Sequence, residues 1–340
     1  MAKTYFLHQD LDNGYTNKNL YYLLGFNPTL GTVIFDDEKV NLVFDARYFG
    51  KIQKIPKSRF KKVFGNKMEI KNILLNIDLE IKIDKLIKGK ELIIEKNLPT
   101  CMYKKLKELK PEKIEMISNI FAKERIIKKD CEINKIKKAI TIINKVYREI
   151  YSKKETLIGK TEREVRKMII ELIITNGGDE ESFPTIVAFG KNSAIPHHEA
   201  GNTKISNGPL LIDMGAVYQG YLSDFTRTFW VGEKNDDYIE FQKILKIVIN
   251  AHNLGKNSVK EGLNGKEIDK LVRDYIGSFG YAKYFTHSTG HGIGLQNHEE
   301  PWISERKGDK KLEKGMVFTI EPGIYLPNKF GVRWENIIII

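Results

Sequence analysis

Two stretches of the chain put acidic residues where an apolar strand would bury them. In LLIDMGAVYQGYLSDFTRTFWVG, residues 210–232, two apolar runs flank a turn signal, and a two-residue turn at Tyr218 and Gln219 sets Asp213 directly opposite Asp224 on one face of a hairpin. Like charges facing each other across a sheet repel, and burying even one unpaired carboxylate costs several kcal/mol. In FTIEPGIYLPNKFGVRWENIIII, residues 318–340, a loop centred on Asn328 sets Glu321 opposite Glu335 in the same manner. A single facing pair is explained more simply by one Asp turning to solvent at a sheet edge. Two such pairs inside apolar hairpins point to bound metal ions. Between the hairpins lies HSTGHGIGLQNHEEP, residues 287–301. His287 and His291 are spaced as in a zinc-protease helix, but Ser288 stands where that motif needs Glu, and Gly290, Gly292 and Gly294 disfavour a helix. With no apolar strand leading in and no clear helix following, the glycines do not make a dinucleotide fingerprint either. They suit a backbone passing close to a crowded site, with His291 and His298 turned inward.

The elements that must hold these residues are legible in outline. Strands are predicted at 183–189, 210–217, 221–231, 317–326 and 332–340, with helices near 237–254 and 265–279. Before them, apolar residues at helical spacing (Ile133, Ile136, Ile140, Ile143, Tyr147) predict a helix over 131–151. The run from Thr161 to Glu164 is a capping-box start for a second helix ending at Gly177 and Gly178. Upstream, Thr32 to Phe35 and Val40 to Phe44 read as strand, turn, strand in a small α/β unit, with NLYYLLGF and LVFDARY as further strand segments, and a lysine-rich stretch near 105–130 marks a boundary. The expected division is 1–122 and 123–340.

Composition narrows the function classes. The net charge of +12 comes mostly from lysines spread through nearly every segment, without the interleaved aromatics and arginines of a nucleic-acid reader, so no nucleic-acid partner is expected. No apolar run is long enough to span a bilayer, and the opening segment, with His8, Asp10 and Asp12, lacks the apolar stretch of a secretory signal. Cys101 and Cys131 form no CxxC pair and suit two reduced thiols. A cytoplasmic, soluble protein with no membrane partner is expected.

On these motifs the chain resembles the pita-bread metallopeptidase family, in its Xaa-Pro branch of aminopeptidase P and prolidase. The similarity runs from Glu124 to Ile340 through ERIIKKDCEINKIKKA, FPTIVAFGKNSAIPHH, IDMGAVYQGYLSDFTRTF, HSTGHGIGLQNHEEP, FTIEPGIYLP and GVRWEN; NLYYLLGF and LVFDARY resemble a creatinase-type N-terminal domain. The resemblance implies an α+β protein, a smaller α/β creatinase-like domain followed by a pita-bread catalytic domain of the two-metal aminopeptidase type. It implies Asp213, Asp224, His291, Glu321 and Glu335 as metal ligands, with Asp224 and Glu335 bridging two divalent ions. It further implies Glu321, His298 and His197 as catalytic groups, and His287, Tyr325 and Arg333 as substrate-facing or supporting ones. A site of carboxylates and one imidazole suits Mn²⁺, with Co²⁺, Fe²⁺ or Zn²⁺ as substitutes. The chain departs from the family's pattern at Asn336, where Asp is usual, and at Trp334, bulky for its place.

The expected function is therefore Xaa-Pro aminopeptidase activity, in which a metal-activated water hydrolyses the bond before proline in peptides with proline at the second position. The alternative is an Xaa-Pro dipeptidase (prolidase). The separate N-terminal domain and the NSAIPHH segment argue against methionine aminopeptidase, and retention of all the ligands argues against a non-catalytic binding module. The family resemblance suggests a homodimer.

Overall fold

The computed structural model describes residues 3–64, 69–74 and 79–340 and divides into two compact units, Met1–Glu124 and Arg125–Ile340. In the first unit Leu30–Phe35 and Lys39–Phe44 pair antiparallel around Asp36, whose carboxylate accepts hydrogen bonds from the backbone N–H groups of Glu38 and Lys39 and so shapes the turn. The six strands run in the order Glu69–Leu74, Lys39–Phe44, Leu30–Phe35, Lys3–Asp10, Glu91–Glu95 and Lys113–Ile117. Phe6, Ile34, Ile87, Leu92, Ile94 and Leu106 form a core on that sheet. NLYYLLGF is not a strand. Residues Lys18–Leu24 are helical, because Asn17 caps the first turn and Leu20, Leu23 and Leu24 recur at the spacing that buries one helix face.

The second unit repeats one arrangement twice, a helix pair against a group of strands. In the first half the helices Asp130–Ser152 and Glu162–Thr175 pack on Ile186–Phe189, Gly208–Met214 and Phe225–Val231. The buried stripe of the long helix is Ile136, Ala139, Ile143, Val146 and Ile150; Ile133, Ile140 and Tyr147, expected on it, flank it half-buried. Thr161 caps the second helix with Glu164 reciprocating, as the capping box predicts. In the second half the helices Asp237–Ser258 and Gly265–Ser278 enclose Trp230, Phe241, Ile244, Val272, Ile324, Phe330 and Val332. Each fully buried aliphatic side chain of these layers stabilises the fold by about 1.5–3 kcal/mol. No helix among the described residues is long and apolar enough to cross a membrane.

The two acidic hairpins differ in how well their registers were anticipated. Glycine decides the first. Its turn is Gln219 and Gly220, both with positive φ (48° and 79°), the backbone that a tight two-residue hairpin requires and glycine supplies. The turn predicted at Tyr218 and Gln219 is therefore corrected. Asp213 pairs with Thr226 rather than with Asp224, which lies diagonally, two residues nearer the turn on the same face. The second hairpin keeps the predicted register: Gly323–Leu326 pairs with Phe330–Arg333, and Val317–Ile320 with Asn336–Ile339 in the same alignment. Glu321 and Glu335 fall opposite each other in the gap between these two stretches of ladder.

Close approach explains the glycines beside His291. A Cβ on Gly290 would stand 1.9 Å from the Thr319 carbonyl oxygen, a backbone atom that cannot swing aside. Gly290→Ala should destabilise the protein by about 1–3 kcal/mol, lowering Tm by roughly 2–12 °C. A thermal melt at the wild-type Tm would show that the strands have slack and that this contact does not limit their spacing.

Candidate metal centre

Strands on both sides of one cleft bring the acidic groups together. Asp213 is the last residue but one of the strand Gly208–Met214, Asp224 stands just before Phe225–Val231, His291 is central in Gly290–Gly292, and Glu321 and Glu335 occupy the ladder gap. Ligand atoms of Asp224, His291 and Glu335, all buried, lie within 4.8 Å of one another. The His291 Nε2 is 3.1 Å from a Glu321 carboxylate oxygen and 3.8 Å from one of Asp224. Asp213 Oδ1, Asp224 Oδ1 and Glu335 Oε1 are buried without any hydrogen-bond partner.

The electrostatics state what the cluster lacks. Burial and the charges of Glu335, Asp213 and Glu321 push the Asp224 carboxyl well above the ordinary carboxylate range. Burial, Glu321 and Asp213 do the same to Glu335. Burial opposes protonation of His291, but its hydrogen bond to Glu321, the charges of Glu321 and Asp213 and the Gly292 carbonyl together outweigh this and raise its pKa. Burial likewise opposes ionisation of Glu321, and here the bond and charge of His291 win, holding its carboxyl low. Protons are thus drawn into the middle of the cluster, the place that a divalent cation suits better. The donor set fits such ions. The His291 Nδ1 lies 3.1 Å from the Gly292 carbonyl oxygen, so it carries the proton and leaves Nε2 free as a ligand.

The remaining predicted residues divide into two groups. The Arg333 guanidinium is buried and donates to Asp213 (2.6 Å), the Tyr325 hydroxyl (2.8 Å), Thr226 Oγ1 (3.2 Å) and the Pro196 carbonyl (3.3 Å). It holds the site together from within. The Tyr325 hydroxyl, pushed up to about 12 by burial, is 2.8 Å from His287 Nε2, and His287 Nδ1 is 2.8 Å from the Ser288 carbonyl. Nδ1 therefore carries the His287 proton and Tyr325 donates to Nε2, in line with the burial that lowers the His287 pKa. His197 and His298 are exposed and line the cleft, and the His298 ring centroid is 4.2 Å from that of His291. The cleft is about 630 Å³, with Phe183, Pro184, Ile186 and Trp302 among its walls.

Residues 134–340, more than half of the chain, match the model of metallopeptidase family M24. The chain belongs to that family. It is 36% identical over 330 residues to the Xaa-Pro dipeptidase of Pyrococcus horikoshii, spanning 95% of this chain and 88% of that protein. Among solved structures, the prolidase from Pyrococcus furiosus aligns with a TM-score of 0.85 and 33% identity over 99% of this chain and 93% of that one. The X-Pro aminopeptidase from Thermotoga maritima aligns with a TM-score of 0.84 and 28% identity over 100% and 93%. This M24 metallopeptidase is accordingly a hydrolase with the pita-bread fold and a smaller N-terminal domain.

Two threonines not singled out by the sequence hold groups of the acidic cluster in place. Thr226 Oγ1 donates to Glu335 Oε2 at 2.6 Å while accepting from Arg333, and Thr319 Oγ1 accepts from the His291 N–H and donates to Glu321 Oε1 at 3.2 Å. The signal available was alternation, since Asp224, Thr226 and Thr228 share one strand face and Thr319 shares another with Glu321. Arg227 lies between the rings of Phe225 and Trp334, 4.0 Å from each centroid, and donates to the Glu335 carbonyl at 2.6 Å and to Asn336 Oδ1 at 3.0 Å. The two departures from the family pattern, Trp334 and Asn336, therefore both pack on one arginine. Thr226→Val keeps the shape and removes the hydroxyl. Metal affinity, measured by titration of stripped protein, should weaken by roughly 10–100-fold, whereas an unchanged affinity would show that Thr226 does not orient Glu335.

Proposed function

We propose that this metallopeptidase is an Xaa-Pro dipeptidase whose two divalent ions are held by Asp213, Asp224, His291, Glu321 and Glu335. The observation that carries the metal reading is the set of buried, partnerless oxygens of Asp213, Asp224 and Glu335 at the floor of the cleft. Full-length similarity to proteins described as Xaa-Pro dipeptidases supports the substrate class. Manganese is the proposed ion, since the donors are mainly carboxylate oxygens. When bound, the ions supply Lewis acidity, which lowers the pKa of a water and polarises the scissile carbonyl.

The chain's own groups then divide the work. Glu321 takes the proton of the attacking water and delivers it to the departing proline nitrogen, which as a tertiary amide carries no N–H of its own. His298 donates to the developing oxyanion from the cleft wall. His197 contacts substrate at the rim. The apolar surfaces of Phe183, Pro184, Ile186 and Trp302 suit a prolyl ring. His287 and Tyr325, coupled to Arg333, keep the floor of the site in one arrangement.

A second reading, Xaa-Pro aminopeptidase, is favoured by the size of the cleft, about 630 Å³, which has room for more than two residues. The deciding assay compares Xaa-Pro with Xaa-Pro-Yaa under added Mn²⁺. The dipeptide should be cleaved faster, and a chelator should abolish both activities until Mn²⁺ is restored. Faster cleavage of the tripeptide would favour the aminopeptidase reading, and full activity in stripped protein would overturn the metal reading.

Substitutions separate the histidines. His298→Ala should lower kcat by roughly 100-fold with both ions retained, and His197→Ala should weaken substrate binding as well as turnover. His291→Ala should lose metal. Metal analysis of the three variants beside their kinetics checks this, and loss of metal from His298→Ala would mean that the ligand set is misassigned.

A further inference from the structure

One carboxylate outside the metal cluster is more deeply buried than any within it. Glu162, the first residue of the helix Glu162–Thr175, has 0% of its side chain exposed. It does not cap its own helix, a task done by Thr161 and Glu164. Its two oxygens instead collect donors from residues 189–201, a segment that forms part of the cleft wall. Oε1 accepts from the Phe189 N–H (2.8 Å) and Asn192 Nδ2 (2.9 Å), and Oε2 accepts from His198 Nε2 (2.8 Å) and the Gly201 N–H (3.1 Å).

The same segment is tied on its other side to the floor of the site. Ser193 Oγ accepts from the Gly331 N–H at 2.8 Å, and the Pro196 carbonyl accepts from Arg333 at 3.3 Å. His197 thus stands between two anchored neighbours, Pro196 held by Arg333 and His198 held by Glu162. Among the described residues its own imidazole makes no hydrogen bond, so its position in the cleft is set by the backbone on either side.

We infer that Glu162 is a positioning residue for the substrate site, fixing the 189–201 segment so that His197 projects into the cleft. The inference rests on the reading of His197 as a substrate contact. The carboxylate is required chemically. The two backbone N–H groups, one on each oxygen, can only donate, so whichever way a carboxamide turned, its NH₂ would meet one of them head-on. A buried carboxylate is costly unless fully hydrogen-bonded, so its partners are held as firmly as it is.

A double-mutant cycle on the metal-loaded enzyme tests this, using E162Q, H197A and E162Q/H197A with an Xaa-Pro dipeptide. E162Q should retain its metals and lose about tenfold in kcat/KM, the scale of about 1.4 kcal/mol. The double variant should be no worse than H197A alone, because Glu162 acts through His197. Losses that multiply in the double variant, or wild-type kcat/KM in E162Q, would overturn the inference while leaving the role of His197 intact. Wild-type kinetics in H197A would instead overturn that role, and the inference with it. Should E162Q fail to fold, N192A removes one of the four donors and carries the same test, with a smaller loss expected and the same lack of additivity.

Discussion

Burying a single unpaired carboxylate costs several kcal/mol, and this catalytic unit gathers four of them, Asp213, Asp224, Glu321 and Glu335, around one imidazole. Arg333 offsets the charge of Asp213, and among the described residues no lysine or arginine side chain pairs with the carboxylates of Asp224, Glu321 or Glu335, which share only the imidazole of His291. The raised carboxyls of Asp224 and Glu335 and the raised imidazole of His291 are three expressions of that imbalance. Divalent ions remove it. Much of the surrounding structure serves to keep the carboxylates close in spite of their repulsion.

It does so by placing three of the four carboxylates at interruptions in otherwise regular pairing. Asp224 sits where the first hairpin's ladder lapses, and Glu321 and Glu335 where the second breaks between two stretches of one register. Released from the ladder, these residues turn their side chains inward, while the flanking pairs fix their positions to within the play of one residue. Hydroxyls and N–H groups then orient each oxygen: Thr226 for Glu335, Thr319 for Glu321 and His291, Arg333 for Asp213. Preorganisation of this kind keeps a metal site from relaxing when substrate enters.

The acidic cluster was legible in the sequence because strand alternation is strict. Even with the first turn misplaced, the correction moved the register by two residues and left Asp213 and Asp224 on the same face. The second register was read correctly from a loop centred on Asn328, whose φ of 63° is the left-handed geometry such a loop needs. Alternation placed Thr226 and Thr319 on the faces of Asp224 and Glu321, whereas Arg227 and Glu162 were not legible as parts of the site, since their hydrogen-bond partners Glu335, Asn336, Phe189 and His198 are distant in sequence. The helix Lys18–Leu24 was missed because seven residues with two adjacent tyrosines read as an apolar run, and the signals that mark it as a helix, the Asn17 cap, the left-handed Gly25 at its end and the spacing of Leu20, Leu23 and Leu24, are spread along it and over its ends.

A prolidase and an X-Pro aminopeptidase both align with this chain over nearly its whole length, so the shared fold does not by itself set a peptide length preference. Metal binding at the acidic cluster carries the proposed chemistry. It is tested most directly by anomalous diffraction at the manganese edge from crystals grown with Mn²⁺. Anomalous density is expected among the side chains of Asp213, Asp224, His291, Glu321 and Glu335. Anomalous density elsewhere in the cleft, or a manganese-loaded crystal in which Asp224 and Glu335 touch no ion, would contradict the account.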